Sequence, residues 1–226
     1  MVVDDPLLVW TRQAGKPGVR VFTHGDATAV ACPNVSRRDR LTVAGSVPDV
    51  VALVREVLPE LGPTYRPTGD EALITAVIPA VPELVMAGRF AWMDTTRRVG
   101  AGAGRWLADP GEVVELLEEA FPASYAWPGG HGVRRWAGIH DGPRLVATAA
   151  EAWSVPGIGF LAGVATRPDL RGRGLATAIC SFVVNELLGE HDRVALFADY
   201  WNAGAIATYT RLGFGLRPLA AAKVGG

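Results

Sequence analysis

Residues 164–176, Val-Ala-Thr-Arg-Pro-Asp-Leu-Arg-Gly-Arg-Gly-Leu-Ala, restrict what this chain can fold into more than any other stretch of it. An apolar, strand-like run over 160–166 stops at Pro168. A glycine-punctuated basic turn follows, and an apolar helix-favouring segment then covers 175–188. Strand, glycine turn and helix in that order present several backbone N–H groups at the positive end of a helix. Phosphate oxygens bind to such a surface with little help from side chains. Gly172 and Gly174 allow dihedrals that a Cβ would forbid and let an anion approach the backbone, while Arg171 and Arg173 add charge. Taken alone, the turn suits either a pyrophosphate cradle or a plain connection between elements. No Gly-Lys-Ser/Thr follows it, and it lacks the Gly-x-Gly-x-x-Gly dinucleotide fingerprint.

The apolar pattern on either side extends the α/β reading. In the first half, 19–33 and 41–44 read as strands, and 48–61 reads as a helix with Pro48 in its first turn. A short helix over 70–77 and two extended runs, 84–87 and 89–93, follow. The alternating Gly-Ala of 100–104 has linker composition and places a boundary between residues 1–98 and 99–226. Beyond it, Asp109-Pro-Gly-Glu opens an amphipathic helix through Phe121, with Asp109 as N-cap and Glu112 at capping-box spacing. A strand pair, 135–140 and 145–153, turns at Asp141-Gly-Pro. After the cradle helix come a strand over 194–199, a helix over 203–212 and a last extended piece over 216–224. The strand-to-helix passage of 41–61 resembles that of 161–188, but its junction, Gly45-Ser-Val-Pro, has no arginine-glycine cradle.

The chain has 226 residues, 49% of them hydrophobic, enough for a sizeable core in one large domain or two small ones. A formal net charge of −1 gives no global attraction to nucleic acid or membrane. Basic character is local, at Arg167, Arg171, Arg173 and Arg211. Cys32 and Cys180 lie far apart and read as buried reduced thiols; His24, His131, His140 and His191 are scattered, so no metal is expected. No apolar run reaches the roughly 20 residues that span a bilayer. The acidic start, Met-Val-Val-Asp-Asp-Pro, has no signal-peptide layout, which predicts a cytoplasmic protein.

Arg-x-x-Gly-x-Ala over 171–176, preceded by Thr166-Arg167-Pro168, resembles the cofactor motif of the GNAT superfamily of acyl-CoA-dependent N-acetyltransferases. A second element is similar to that superfamily's C-terminal signature. Asn202 is followed by Ala205, Tyr209, Gly213 and Phe214 at the matching intervals. The resemblance implies a mixed, largely antiparallel sheet flanked by helices, with residues 1–98 as a degenerate half of the same kind. It implies transfer of an acetyl group from acetyl-CoA to a primary amine of a small molecule or peptide.

The resemblance also implies site residues. The backbone of Val164, Ala165 and Thr166 would receive the pantetheine arm as an added strand. The amides of Gly172, Arg173, Gly174, Leu175, Ala176 and Thr177, with Arg171 beside them, would hold the pyrophosphate. Asn202 would bind the pantetheine arm or cap the helix that carries Tyr209, the general acid. Where many relatives place a glutamate base this chain has Phe197, which leaves Asp199 and Glu151 as candidates. Trp127, Trp136, Trp153 and Trp201 lie in or near elements that could border an acceptor cleft. The alternative is a non-catalytic acyl-CoA-binding sensor or partner-binding module. A fused second half that covers a sheet edge slightly favours a monomer.

Overall fold

The computed structural model describes residues 4–225, which divide into two compact units. One runs to Trp92 and takes in the segment from Arg217 onward; the other spans Met93–Leu216. The division therefore falls within a strand, and not at the Gly-Ala segment of 100–104.

The first unit contains α1 (Pro6–Thr11), β1 (Arg20–His24), β2 (Ala27–Val35), β3 (Arg38–Ala44), α2 (Val47–Leu61), β4 (Arg66–Asp70), α3 (Glu71–Val77) and β5 (Leu84–Thr95), which runs through the boundary. Asp5 opens α1 by accepting from Leu7 N–H at 2.8 Å. The two extended runs expected over 84–93 form one unbroken strand. β1, β2 and β3 are antiparallel neighbours, and α2 crosses over to place β4 parallel to β3. The apolar face of α2, Val50, Leu53, Val54 and Val57, is buried against Leu41 and Ile74 in this unit's core.

The second unit contains β6 (Arg105–Trp106), α4 (Gly111–Ala120), β7 (Val133–Asp141), β8 (Arg144–Ala152), β9 (Ile158–Thr166), α5 (Leu175–Glu190), β10 (Arg193–Asp199) and α6 (Ala203–Arg211). Strands β6 to β9 are antiparallel in succession, and α5 crosses over to place β10 parallel to β9. Helix α5 packs on β8, β9 and β10 through residues such as Ile179, Val183 and Leu187, all buried. The last strand, β11 (Gly215–Val224), leaves this unit and pairs antiparallel with β4 of the first, Leu219 opposite Asp70. Arg217 anchors it with two bonds to Asp5, at 2.9 and 2.8 Å, and two to Asp70, at 2.6 and 3.2 Å.

Two local expectations change. The Gly-Ala segment is packed against α5 and is no free linker: Ala103 N–H donates to the Ala178 carbonyl at 3.1 Å. A Cβ on Gly102 would lie 2.1 Å from the Phe182 backbone nitrogen, so the alternating small residues serve close approach. At α4, Asp109 accepts from Gly111 N–H at 2.9 Å, but Glu112 bonds His140 at 2.9 Å and closes no capping box.

Candidate active site

The parallel pairing of β9 with β10 extends from Arg193–Ile158 to Ala195–Phe160 and stops there. The register of β9 on β8 shifts between Thr148–Ala165 and Ala150–Ala162, which marks a bulge. Gly163 occupies the bulge at φ +60°, a conformation that L side chains rarely adopt. Around it, residues 161–166 of β9 and Phe197–Asp199 of β10 face a common cleft of about 630 Å³. Bulged strands twist and bend, and here the bend coincides with the end of pairing and the start of the cleft.

Helices supply the remaining walls. Ala176 and Cys180 sit one turn apart on α5, and Gly204, Ala205, Thr208 and Tyr209 form one face of α6. Ala120 and Phe121 close a further side. Arg171 lines the cleft and donates to the Ala120 carbonyl at 2.9 Å. Asn202 lines it too, and its side chain accepts from Ala205 N–H at 3.1 Å, which caps α6. Of the residues expected here, Val164, Ala165, Thr166, Arg171, Ala176, Asp199, Asn202 and Tyr209 are brought together on this surface.

Gly172, Arg173 and Gly174 are exposed and, with Leu175 and Thr177, lie outside the lining, at the N-terminus of α5. Gly172 and Gly174 have φ of +78° and +80°, and a Cβ on either would meet nothing within 4 Å. Their backbone angles, and not crowding by protein, therefore call for glycine. No side chain caps this helix, so its first N–H groups remain available to an anion. The Thr166 hydroxyl is also buried without a hydrogen-bond partner.

Tyr209 is buried, and burial together with the neighbouring Cys180 thiol pushes its phenol well above the ordinary value. The Cys180 thiol, fully buried beside it in the cleft wall, is pushed up to about 12. Asp199 is exposed at the end of β10; partial desolvation raises its carboxyl, against a hydrogen bond from Trp201 that lowers it. Phe197 lies edge-on to Phe160, ring centroids 5.3 Å apart.

Glu151 is elsewhere. Its carboxylate is fully buried, accepts from Arg134 at 2.9 Å and from Arg135 at 2.7 Å, and does not line the cleft. Its expected place as a base is withdrawn on that geometry, because both oxygens are committed to guanidinium groups. Arg167 likewise contributes no free charge to an anion: it is buried, bonded to Glu115 at 2.8 Å, to Glu119 and to the Leu145 carbonyl. Of the four tryptophans, Trp136 and Trp153 are buried, and only Trp201 lines the cleft, 77% exposed. Cys180 and Phe121 are cleft residues that periodicity could not show, since an apolar helix position reads as core whichever cavity it borders.

Residues 101–214, the span that holds the bulge, the cradle and Tyr209, match the acetyltransferase (GNAT) family. The chain belongs to that family. No curated protein matches it. Solved structures share the fold. A GCN5-related N-acetyltransferase from Kribbella flavida is 17% identical, with a TM-score of 0.64 over 97% of this chain and 93% of that one. An acetyltransferase of the GNAT family from Novosphingobium aromaticivorans is 18% identical, with a TM-score of 0.62 over 99% and 100%. A GCN5-related N-acetyltransferase from Sphaerobacter thermophilus is 18% identical, with a TM-score of 0.55 over 96% and 89%. Among the described residues no helix is long and apolar enough to cross a membrane.

Proposed function

We propose that this GNAT protein transfers an acetyl group from acetyl-CoA to a primary amine of a small molecule or peptide. The observation that carries the reading is one cleft lined by the strand end 161–166, Ala176 and Tyr209, with the uncapped α5 N-terminus at its edge. Acetyl-CoA would supply the thioester. What supports such a cosubstrate is the uncapped α5 N-terminus for the pyrophosphate and strand groups at 164–166, beyond the end of the β9–β10 pairing, for the pantetheine amides. The unpartnered Thr166 hydroxyl adds a polar group within its reach.

Tyr209, held protonated at neutral pH by burial, donates to the departing thiolate. Asp199 is the acidic residue of the cleft lining and takes the amine's proton, directly or through water. Its raised pKa brings it closer to that task than an ordinary carboxylate. Amine and thioester held in one cleft react as an effectively intramolecular pair.

The first unit reads as a degenerate copy that binds no cofactor. Its order, hairpin strands, crossover helix, parallel strand, helix, strand, repeats that of the second. At the start of α2, however, Asp26 accepts from Ser46 N–H at 2.8 Å and Asp49 accepts from Asp26 N–H at 3.0 Å. Carboxylates of the chain itself stand where a phosphate would lie, and they would repel one. We place the protein in the cytoplasm as a monomer.

The test is acetyl-CoA binding by calorimetry followed by thiol release over a panel of amines. One site per chain and amine-dependent release are expected. Tyr209→Phe should lower kcat by about 10²–10⁴-fold with acetyl-CoA affinity unchanged, and Asp199→Asn should flatten the acidic limb of the rate profile. Phe197 in place of a glutamate favours one other reading, an acyl-CoA sensor. Binding without turnover on any amine would select it.

A further inference from the structure

The cleft has a direction. One end lies toward the α5 N-terminus, which follows β9 in the chain, and the other where β9 and β10 stop pairing at Phe160 and Ala195. A cosubstrate with its pyrophosphate at that helix end and its pantetheine arm along 166–164 carries its thioester toward the strand junction. Ala162 and Gly163 of β9 and Ala198 of β10, which line the cleft there, bear at most a methyl group. Two larger side chains join them. Leu161 is 2% exposed and all but withdrawn into the core, whereas Phe197 is only half-buried. Phe197 follows the last paired residue of β10 by two positions and shares a strand face with Asp199.

The Phe197 ring has little room to retreat. Phe160 stands edge-on to it, centroids 5.3 Å apart, and Trp153 stands edge-on to Phe160 at 6.2 Å. Phe160 and Trp153 are 2% and 4% exposed. The Trp153 indole N–H donates to the His131 carbonyl at 2.9 Å, and a Cβ on Gly132 would lie only 2.3 Å from that indole. Three rings in series therefore brace this wall of the cleft, and a close-packed wall resists even one added methylene.

Resting on the acyl-CoA reading of the cleft, we infer that Phe197 sets the acyl chain length of the donor. The methyl of an acetyl group fits against the ring, and a longer straight chain has to displace it. The role is one of specificity: the ring touches the acyl tail and takes no part in proton transfer. Magnitudes decide the sign of the effect. A methylene that finds apolar room strengthens binding about fourfold, whereas pocket fit at one methylene discriminates by about 10–200-fold. The braced ring places wild type in the second case, and loss of the ring places it in the first.

The experiment titrates acetyl-, propionyl-, butyryl- and hexanoyl-CoA by calorimetry, which needs no acceptor amine. Wild type should bind butyryl-CoA about 10–200-fold less tightly than acetyl-CoA. In Phe197→Ala, which removes more carbon than the two methylenes that separate the ligands, the ratio should close or invert. Phe197→Leu should fall between, and it keeps an apolar wall should the alanine variant fail to fold. Phe160→Leu, behind the ring and outside the cleft lining, should relax the limit in part by letting Phe197 move back. Ratios of kcat/KM for any amine that is turned over should follow the same order.

Thermal unfolding identifies the variants that are folded. Equal affinity of wild type for acetyl- and butyryl-CoA overturns the role, as does an unchanged ratio in folded Phe197→Ala or Phe197→Leu. Either result alongside tight acetyl-CoA binding rejects Phe197 alone and leaves the donor standing. Folded wild type that binds none of the four thioesters rejects the acyl-CoA reading, and the chain-length role with it.

Discussion

Replacing Gly163 by alanine tests whether the cleft is held open by a bulge that tolerates no side chain. The residue has φ +60°, and an added Cβ would lie 2.5 Å from the Trp136 ring and 3.3 Å from the Ala126 Cβ. Trp136 is buried at 2% exposure, so its ring cannot swing into solvent to make room. Two costs add. A left-handed conformation costs an L residue roughly 1–2 kcal/mol, and an extra methyl forced into a packed site costs about 1–3 kcal/mol. Reduced freedom of the unfolded chain returns about 0.4–1 kcal/mol. A net loss of roughly 2–4 kcal/mol is expected.

Gly142, in the β7–β8 turn at φ +58° with nothing within 4 Å of its Cβ position, is the control. Gly142→Ala carries the backbone cost alone. Urea denaturation midpoints at constant m-value give both numbers, and their difference isolates the steric part, about 1–3 kcal/mol. Trp136→Phe in the Gly163→Ala background should recover much of that part, seen as a coupling in a double-mutant cycle. If Gly163→Ala is no more destabilising than Gly142→Ala, the overlap is not real and the bulge is not locked by Trp136. The folded fraction of Gly163→Ala should also bind acetyl-CoA more weakly, because the strand end at 164–166 is re-aimed.

Gly102→Ala should destabilise by about 1–3 kcal/mol through overlap with the α5 backbone, measured by the same denaturation, whereas Gly100→Ala, which meets nothing within 4 Å, should be near neutral. Arg217→Gln should cost roughly 1–3 kcal/mol near neutral pH by leaving Asp5 without its cation. That cost has a pH sign. Desolvation raises the Asp5 pKa, but the bonds and charge of Arg217 outweigh it and hold the group below its unfolded value. The contribution is therefore complete above the unfolded carboxylate pKa of about 4 and fades as pH falls through the folded value. Thermal midpoints of wild type and Arg217→Gln should converge in strong acid; a gap that persists there contradicts the linkage.

Most of the second unit was legible in residue order. Glycines at 172 and 174, Pro168, and the Asn202 to Phe214 spacing each specify a local backbone state or a helix end. Local states are what a linear pattern records. The helices 111–120, 175–190 and 203–211 and the strands between them accordingly fall where hydrophobic periodicity puts them. Helix α1 and strand β4 escaped notice because each is too short to show a period.

What the chain order could not convey is which distant groups meet. Asp199 and Glu151 are equivalent as carboxylates in a sequence. Only the packing of Arg134 and Arg135 around one of them removes it from the chemistry. Gly100–Gly104 has the composition of a linker, and only the approach of α5 shows that the small residues serve contact. Cys180 reads as core because its position on the helix is apolar, and its neighbour Tyr209 comes from another element. The C-terminal strand lies beside β4 through pairing across most of the chain's length, a contact with no local signal at all. Backbone dihedrals and helix ends are fixed by near neighbours and so are written in the sequence. Burial, charge pairing and the assembly of the cleft depend on long-range packing, and only the tertiary structure decides them.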